Sequence, residues 1–184
     1  MNVKTKVLMR AALLVLVVLS GPGCGYSLAG RGSFLPSYIK VISVPQFTNN
    51  TPVFEIERTL TEHVRAELIG RGRYKVESDR TKPSDAVLTG EILHIGIGPA
   101  AFDAQQRATQ LNIVVVARIE FRDLKTDKVL WSHPALPITE RYDVTSPNPS
   151  LPTVDTFLGQ NANAVQRLST EFARAVVAAI LESF

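Results

Sequence analysis

Residues 109–121, TQLNIVVVARIEF, alternate apolar and polar side chains, and this stretch decides the fold. Successive side chains of a β-strand point to opposite faces, so a period of two predicts a strand with one buried face. The predicted buried face consists of Leu111, Ile113, Val115, Ala117, Ile119 and Phe121. The opposite face carries Gln110, Asn112, Arg118, Glu120 and Arg122, interrupted by Val114 and Val116. The alternation therefore predicts a sheet that is covered on one side.

Further strands are predicted on both sides of this one. The polar sequence DLKTDK at residues 123–128 is typical of a hairpin turn. After it, the return strand is interrupted by Pro134 and Pro137 and resumes beyond them. The predicted strands cover residues 38–44, 74–76, 86–97, 109–121, 129–132 and 138–142.

Two amphipathic helices complete the predicted fold. The first covers residues 53–69, with Thr51 as its N-cap, Pro52 in its first turn and Gly70 or Gly72 at its end. Its apolar stripe is Val53, Ile56, Leu60, Val64 and Leu68. The second runs from residue 155 or 156 nearly to residue 184, after a loop at residues 143–154 that contains three prolines. Its stripe is Leu158, Ala162, Val165, Leu168, Phe172, Val176 and Ile180.

This order of elements predicts an α+β fold. The sheet is expected to be mixed or antiparallel, with about four to five strands, and both helices are expected to pack on one of its faces. Leu60, Val64, Leu168 and Phe172 are expected to be the most buried residues. Residues 38–184 are expected to form a single domain.

The N-terminus is predicted to be a signal peptide over residues 1–23. Residues 1–10 are basic, and residues 11–19, AALLVLVVL, are an unbroken apolar run. Nine helical residues span about 14 Å, which is about half of a bilayer core, so the run is too short for a membrane span. Small residues follow and lead to Cys24, which is the single cysteine of the chain.

This ending resembles a bacterial lipobox, and Cys24 is the predicted site of lipidation. A thiol can be converted to a diacylglyceryl thioether, and cleavage before it frees an amine for a further acyl chain; two or more chains give a durable anchor. An ordinary secretory peptide with a cysteine beside the cut is the alternative. Residues 24–37 are then expected to be a lipidated tether. Gly25 stands where an inner-membrane retention Asp would be, which favours the outer membrane.

The charge balance argues against nucleic acid as a partner. The chain has 20 Lys and Arg against 17 Asp and Glu, but three of the basic residues lie in the first 23 residues, where no acid occurs. Removing them leaves 17 against 17, so the predicted mature chain is neutral and lacks the basic surface that grips phosphate backbones.

Motifs for catalysis or cofactor binding are weak or missing. The sequence GIGPAA at residues 96–101 resembles a dinucleotide fingerprint, but a strand follows where that motif needs a helix. His63, His94 and His133 lie on different predicted elements without ligand spacing. Asp123 and Asp127 flank a turn. No cofactor, metal or catalytic residue is therefore expected.

Several features together resemble the LptE family of lipopolysaccharide-assembly lipoproteins. They are CGYSL at residues 24–28, the strand YIKVISVPQF followed by TNNTP, the long alternating strand, the proline loop and the C-terminal amphipathic helix. The resemblance implies a non-enzymatic outer-membrane lipoprotein with an α+β fold. It implies that the protein plugs the β-barrel LptD, and that it binds lipopolysaccharide and assists its assembly at the cell surface.

Four arginines are candidates for contact with lipopolysaccharide, because the planar guanidinium fork suits phosphates. They are Arg107, Arg118, Arg122 and Arg141. Arg107 is the first choice since it precedes the long strand, in a polar loop.

The sequence leaves other classes open. The stretch at residues 41–51 is also similar to lipoprotein activators of peptidoglycan synthases and to curli-secretion lipoproteins, which implies a cell-wall regulator or a secretion-pore subunit instead. A secreted enzyme is a further alternative, although no acid, base and nucleophile cluster in the sequence.

Overall fold

The computed structural model describes residues 35–71, 73–144 and 151–183. The predicted signal peptide and Cys24 lie outside these residues. The elements in chain order are β1 (Val41–Ser43), β2 (Thr48–Asn49), α1 (Ile56–Gly70), β3 (Lys75–Glu77), β4 (Ala86–Phe102), β5 (Ala108–Asp123), β6 (Lys128–Asp143), α2 (Val154–Gln160) and α3 (Ala162–Leu181). None of the helices in the described part combines the length and apolarity needed to cross a bilayer.

The strands form one mixed sheet in the order β3-β1-β4-β5-β6, with the short β2 paired to β4. Strand β1 is parallel to β3 and β4, and β2 is parallel to β4. The long strands β4, β5 and β6 form an antiparallel meander. The predicted α+β class with a mixed sheet is confirmed.

The alternation in β5 is confirmed at every predicted position. All six odd-numbered residues from Leu111 to Phe121 are buried. They lie on the sheet face that the helices cover, together with buried residues of α1 and α3. We call this the inner face and the opposite side of β4, β5 and β6 the outer face.

Strand β6 is longer than the sequence indicated. It runs without interruption from Lys128 to Asp143, through both prolines, where two separate pieces were predicted. Proline has no backbone N–H and cannot donate a hydrogen bond to a neighbouring strand. Strand β6 tolerates both prolines because it is the last strand of the sheet in the described part of the chain, and one of its sides is unpaired there. The register to β5 shifts between Ala117 and Ile119, which accommodates the irregular stretch.

Helix α1 begins later than predicted. Its first residue is Ile56, and the preceding Glu55 has a left-handed conformation with φ 57°. Thr51 does not cap the helix, because four residues lie between it and Ile56; its hydroxyl donates to Asn49 Oδ1 at 2.7 Å and accepts the Val53 N–H at 3.4 Å. Gly70 is the last helical residue, not the cap. The predicted apolar stripe is nevertheless buried along its whole length.

The predicted C-terminal helix is interrupted. Asn161, with φ −124° and ψ 77°, separates α2 from α3, and its side-chain amide donates to the carbonyl of Phe157 at 2.7 Å. This bond satisfies an orphan carbonyl at the end of α2, so the break costs little. The interruption changes the helical phase, and Ala164 is buried while the predicted Ala162 is exposed.

The core lies between the inner face and the helices. Leu60 and Val64 of α1 and Leu168 and Phe172 of α3 are fully buried, as predicted. Leu35 also belongs to this core, so the chain is packed three residues before the predicted start of the domain.

Candidate functional site

The outer face holds three of the four arginines proposed for lipopolysaccharide. Arg118 and Arg122 alternate with the buried residues of β5, and Arg141 lies on β6 directly opposite Asn112. Arg107 precedes β5 in the turn that connects it to β4. Asn112 and Arg118 are six residue steps apart along the strand, which is about 20 Å. The four arginines are therefore spread along the sheet and do not form one cluster.

Arg107 is held by its own turn. Its Nε lies 2.8 Å from Asp103 Oδ2, and its backbone N–H donates to Asp103 Oδ1 at 2.8 Å. These contacts lower the pKa of Asp103, first through the backbone hydrogen bond. Gln106 completes the turn with a positive φ of 62°. The turn thus neutralises the arginine that the sequence favoured most.

Arg118 is also paired. It forms a salt bridge with Glu91, its cross-strand neighbour on β4. Glu91 in turn accepts a hydrogen bond from the Asn50 side chain at 2.6 Å. The pair lines a shallow cleft that also includes Arg80, which has no salt bridge among the described residues.

Arg122 bridges two acids. Its guanidinium lies 3.0 Å from Glu120 Oε1 and 3.1 Å from Asp127 Oδ1. The hydrogen bonds that Arg122 donates to Glu120 and then to Asp127 raise the pKa of Arg122 above its ordinary value. A phosphate would have to displace both carboxylates, so Arg122 is poorly available.

Arg141 differs from the other three. Its side chain is exposed and forms no salt bridge within the described part of the chain. Its neighbour Asn112 has a buried Oδ1 without a hydrogen-bond partner. Beyond Asn112, on β4, lies Gly98, where an added Cβ would meet no atom within 4 Å. We call Gly98, Asn112 and Arg141 the outer row. It combines an available cation with an amide and open space above the glycine.

Sequence reasoning selected Arg141 but missed the rest of the outer row. The alternation places Asn112 on the polar face, but the pairing of Asn112 with Arg141 depends on the strand register. That register crosses a β-bulge, which no local pattern in the sequence reveals.

Comparison with protein-family models identifies the family of the chain. The model described as "LptE: Lipopolysaccharide-assembly" matches residues 39–180. The chain belongs to the LptE family. The matched range includes every strand and all but the last residue of α3. It excludes Cys24, whose lipidation stays a prediction.

Solved structures share the fold. A single-substitution variant of the PelC dodecamer from Paraburkholderia phytofirmans matches with a TM-score of 0.51 at 18% identity, over 82% of this chain and 93% of that one. Protein XCC0632 from Xanthomonas campestris matches with a TM-score of 0.52 at 12% identity, over 83% and 89%. At these identities the likeness concerns the fold alone. No curated protein sequence matches the chain.

Membership of the LptE family makes the protein a lipopolysaccharide-assembly lipoprotein, and the family is non-catalytic. The sequence GIGPAA lies entirely within β4, so no helix N-terminus follows it to hold a phosphate. Residues 35–71, 73–144 and 151–183 contain no group of three or more His, Cys, Asp or Glu side chains that could hold a metal ion.

Proposed function

We propose that this LptE-family protein is anchored to the outer membrane through Cys24, binds an LptD-like β-barrel as a plug, and contacts lipopolysaccharide through its outer face without catalysis. The observation that carries the proposal is the family match over residues 39–180. The outer row supplies the groups that would contact lipopolysaccharide. The neutral charge of the predicted mature chain suits a domain that must enter the lumen of a β-barrel.

The dimensions of the sheet support the plug. Strands β4, β5 and β6 have 17, 16 and 16 residues. At about 3.3 Å per residue they are about 50 Å long, which exceeds the thickness of a bilayer core. The inner face is covered by helices, so a barrel wall would meet the outer face and the unpaired edge of β6.

Lipopolysaccharide binding would depend most on Arg141. Charge-assisted hydrogen bonds to phosphate are worth about 1.5–3 kcal/mol where solvent is excluded, and less on an open surface. Arg107, Arg118 and Arg122 would each lose a carboxylate partner in making such a bond. Arg141 has no such partner to lose among the described residues.

Affinity capture tests the partner. The tagged full-length protein is recovered from detergent-solubilised membranes and its partners are identified by mass spectrometry. A large outer-membrane β-barrel is expected. Recovery of a penicillin-binding protein without a barrel would favour the activator of peptidoglycan synthesis, and recovery of secretion-pore components would favour that class instead.

A binding titration tests the outer row. Arg141→Ala and Arg107→Ala are compared with Arg58→Ala on α1, whose guanidinium is likewise exposed and pairs locally with Glu55. Lipopolysaccharide affinity should fall most for Arg141→Ala and should weaken with salt. Equal losses for Arg141→Ala and Arg58→Ala would remove Arg141 as a specific contact.

A further inference from the structure

Several strands begin or end at the same end of the sheet. Strands β1, β3, β4 and β6 begin there and β5 ends there, as their registers require. Backbone hydrogen bonds link these ends: Lys75 N–H donates to Lys40 O at 2.8 Å, and Leu124 N–H donates to Asp85 O at 2.9 Å. The described N-terminal segment enters the domain at this end, through Tyr38. We therefore call it the tether end.

The acids at the tether end are occupied by groups of the protein itself. Asp85 Oδ2 accepts the backbone N–H groups of Lys40 and Val41, each at 2.9 Å. Buried Asp123 accepts the Tyr38 hydroxyl, and the Thr126 hydroxyl at 2.7 Å. The exposed acid of the hairpin, Asp127, pairs with Arg122.

Three lysines at the tether end face solvent without an acidic partner in the described part of the chain, whereas Lys75 at the start of β3 pairs with Glu77 at 2.9 Å. Lys40, Lys125 and Lys128 are exposed and form no salt bridge within the residues that the structure describes. Lys125 Nζ lies 5.1 Å from the centre of the Tyr38 ring. Tyr38 and Leu124 add exposed apolar surface, with 37% and 42% of their area accessible. Basic residues interspersed with apolar ones are the composition that binds the headgroup region of anionic membranes.

The chain length restricts where this end can be. Eleven residue steps separate Cys24 from buried Leu35, and a fully extended chain of that length spans at most about 40 Å. With the anchor proposed at Cys24, the point where the chain enters the domain cannot be farther than this from the membrane. The tether end is thus the part of the sheet whose distance from the membrane this anchor would limit most directly.

We propose that the tether end docks on an anionic phospholipid surface through Lys40, Lys125 and Lys128, with Tyr38 and Leu124 at the headgroup level. Only the distance restriction rests on the anchor of the proposed function. The docking chemistry requires neither the barrel partner nor lipopolysaccharide.

Vesicle sedimentation tests the docking chemistry. The chain from residue 24 onward, carrying Cys24→Ser so that no acyl chain contributes, is mixed with vesicles of phosphatidylglycerol and phosphatidylethanolamine or of phosphatidylcholine alone. The wild-type chain should bind the anionic vesicles and not the neutral ones. Replacing Lys40, Lys125 and Lys128 by Gln should weaken binding on the order of 100-fold at low salt.

A matched triple variant controls for net charge. Arg58→Gln, Arg167→Gln and Arg174→Gln remove three exposed cations that pair with Glu55, Glu140 and Glu171, away from the tether end. This variant should retain most of the binding. Equal losses in the two triple variants, or no binding of the wild-type chain to anionic vesicles, would overturn the proposal.

Lysine labelling of the intact lipoprotein gives a readout that needs no variant. After reconstitution in anionic vesicles, Lys40, Lys125 and Lys128 should react more slowly with an acetylating reagent than after reconstitution in phosphatidylcholine vesicles. Equal reaction rates of these lysines in the two kinds of vesicle would contradict docking through the tether end. Recovery of a barrel in the capture experiment is independent of this result, so the two proposals can fail separately.

Discussion

Gly90 on β4 allows a test of how tightly the side chains pack on the inner face. The ring of Phe47 lies directly over this glycine, and an added Cβ would come within 2.7 Å of the ring carbons Cγ and Cδ2. The ring cannot easily retreat. It packs edge-on against Phe172 with centroids 6.3 Å apart, and the backbone N–H of Phe47 donates to Thr61 Oγ1 at 3.0 Å.

Gly90→Ala should therefore lower the free energy of unfolding by about 1–3 kcal/mol, as overpacking of a tight core does. The loss outweighs the gain of about 0.5–1 kcal/mol expected from replacing a strand glycine with alanine. Phe47→Ala alone should cost about 3–5 kcal/mol. In that background the new methyl group has room, so adding Gly90→Ala should cost nothing further. The double variant should thus be more stable than the sum of the single effects predicts, by about 1–3 kcal/mol.

Urea denaturation followed by circular dichroism measures the four free energies of this cycle. Gly98→Ala is the matched control, because Gly98 lies on the same strand and an added Cβ there meets no atom within 4 Å. It should leave stability unchanged or raise it slightly. Additive effects of Phe47→Ala and Gly90→Ala, or a loss of stability for Gly98→Ala as large as that for Gly90→Ala, would refute the packing of the Phe47 ring over Gly90.

Three further predictions concern other parts of the chain. Phe172→Ala should lower the free energy of unfolding by about 3–5 kcal/mol, because Phe172 is fully buried; a loss below about 1 kcal/mol in urea denaturation would show that α3 does not depend on its own sheet. Hydrogen bonds from Thr126 and Tyr38 hold the pKa of Asp123 at about 2, below its ordinary 3.8, so its stabilising contribution is present above pH 4 and is lost as the pH falls toward 2. The difference in stability between the wild type and Asp123→Asn should accordingly shrink between pH 7 and pH 2; a constant difference would contradict this. Cys24→Ser should move the protein from the membrane fraction to the soluble fraction, and intact mass should show acyl chains on a wild-type protein that begins at Cys24; an unmodified thiol there would refute lipidation.

The parts of the fold that were predictable are those with strong periodicity. The buried face of β5 and the stripe of α1 follow from a period of two and a period of 3.6, and both depend on many residues at once. A single local signal was less reliable. Thr51 and Pro52 look like a helix start, but Glu55 has a left-handed conformation with φ 57°, and the helix begins only after it, at Ile56.

Prolines and one asparagine account for the other differences. Pro134 and Pro137 interrupt the sequence pattern of β6 but not the strand, since its position at the sheet edge is a property of the topology. Asn161 breaks the C-terminal helix because its side chain replaces a backbone partner. Among the candidate arginines, exposure could be anticipated from the alternation. The availability of Arg141 could not, because it depends on which acids the register brings near Arg107, Arg118 and Arg122.

The two proposed surfaces are separated by a distance that the sheet itself sets. Asp123 marks the tether end of β5 and Asn112 marks the outer row, and the eleven residue steps from one to the other span about 36 Å. This is slightly more than the thickness of a bilayer core. If the tether end lies on the inner headgroups and the domain enters a barrel, Arg141 is carried to the level of the opposite leaflet. Lys40, Lys125 and Lys128 would then contact phospholipid in one leaflet, and Arg141 would contact lipopolysaccharide in the other. The length of β5 would hold the two groups at opposite sides of one membrane.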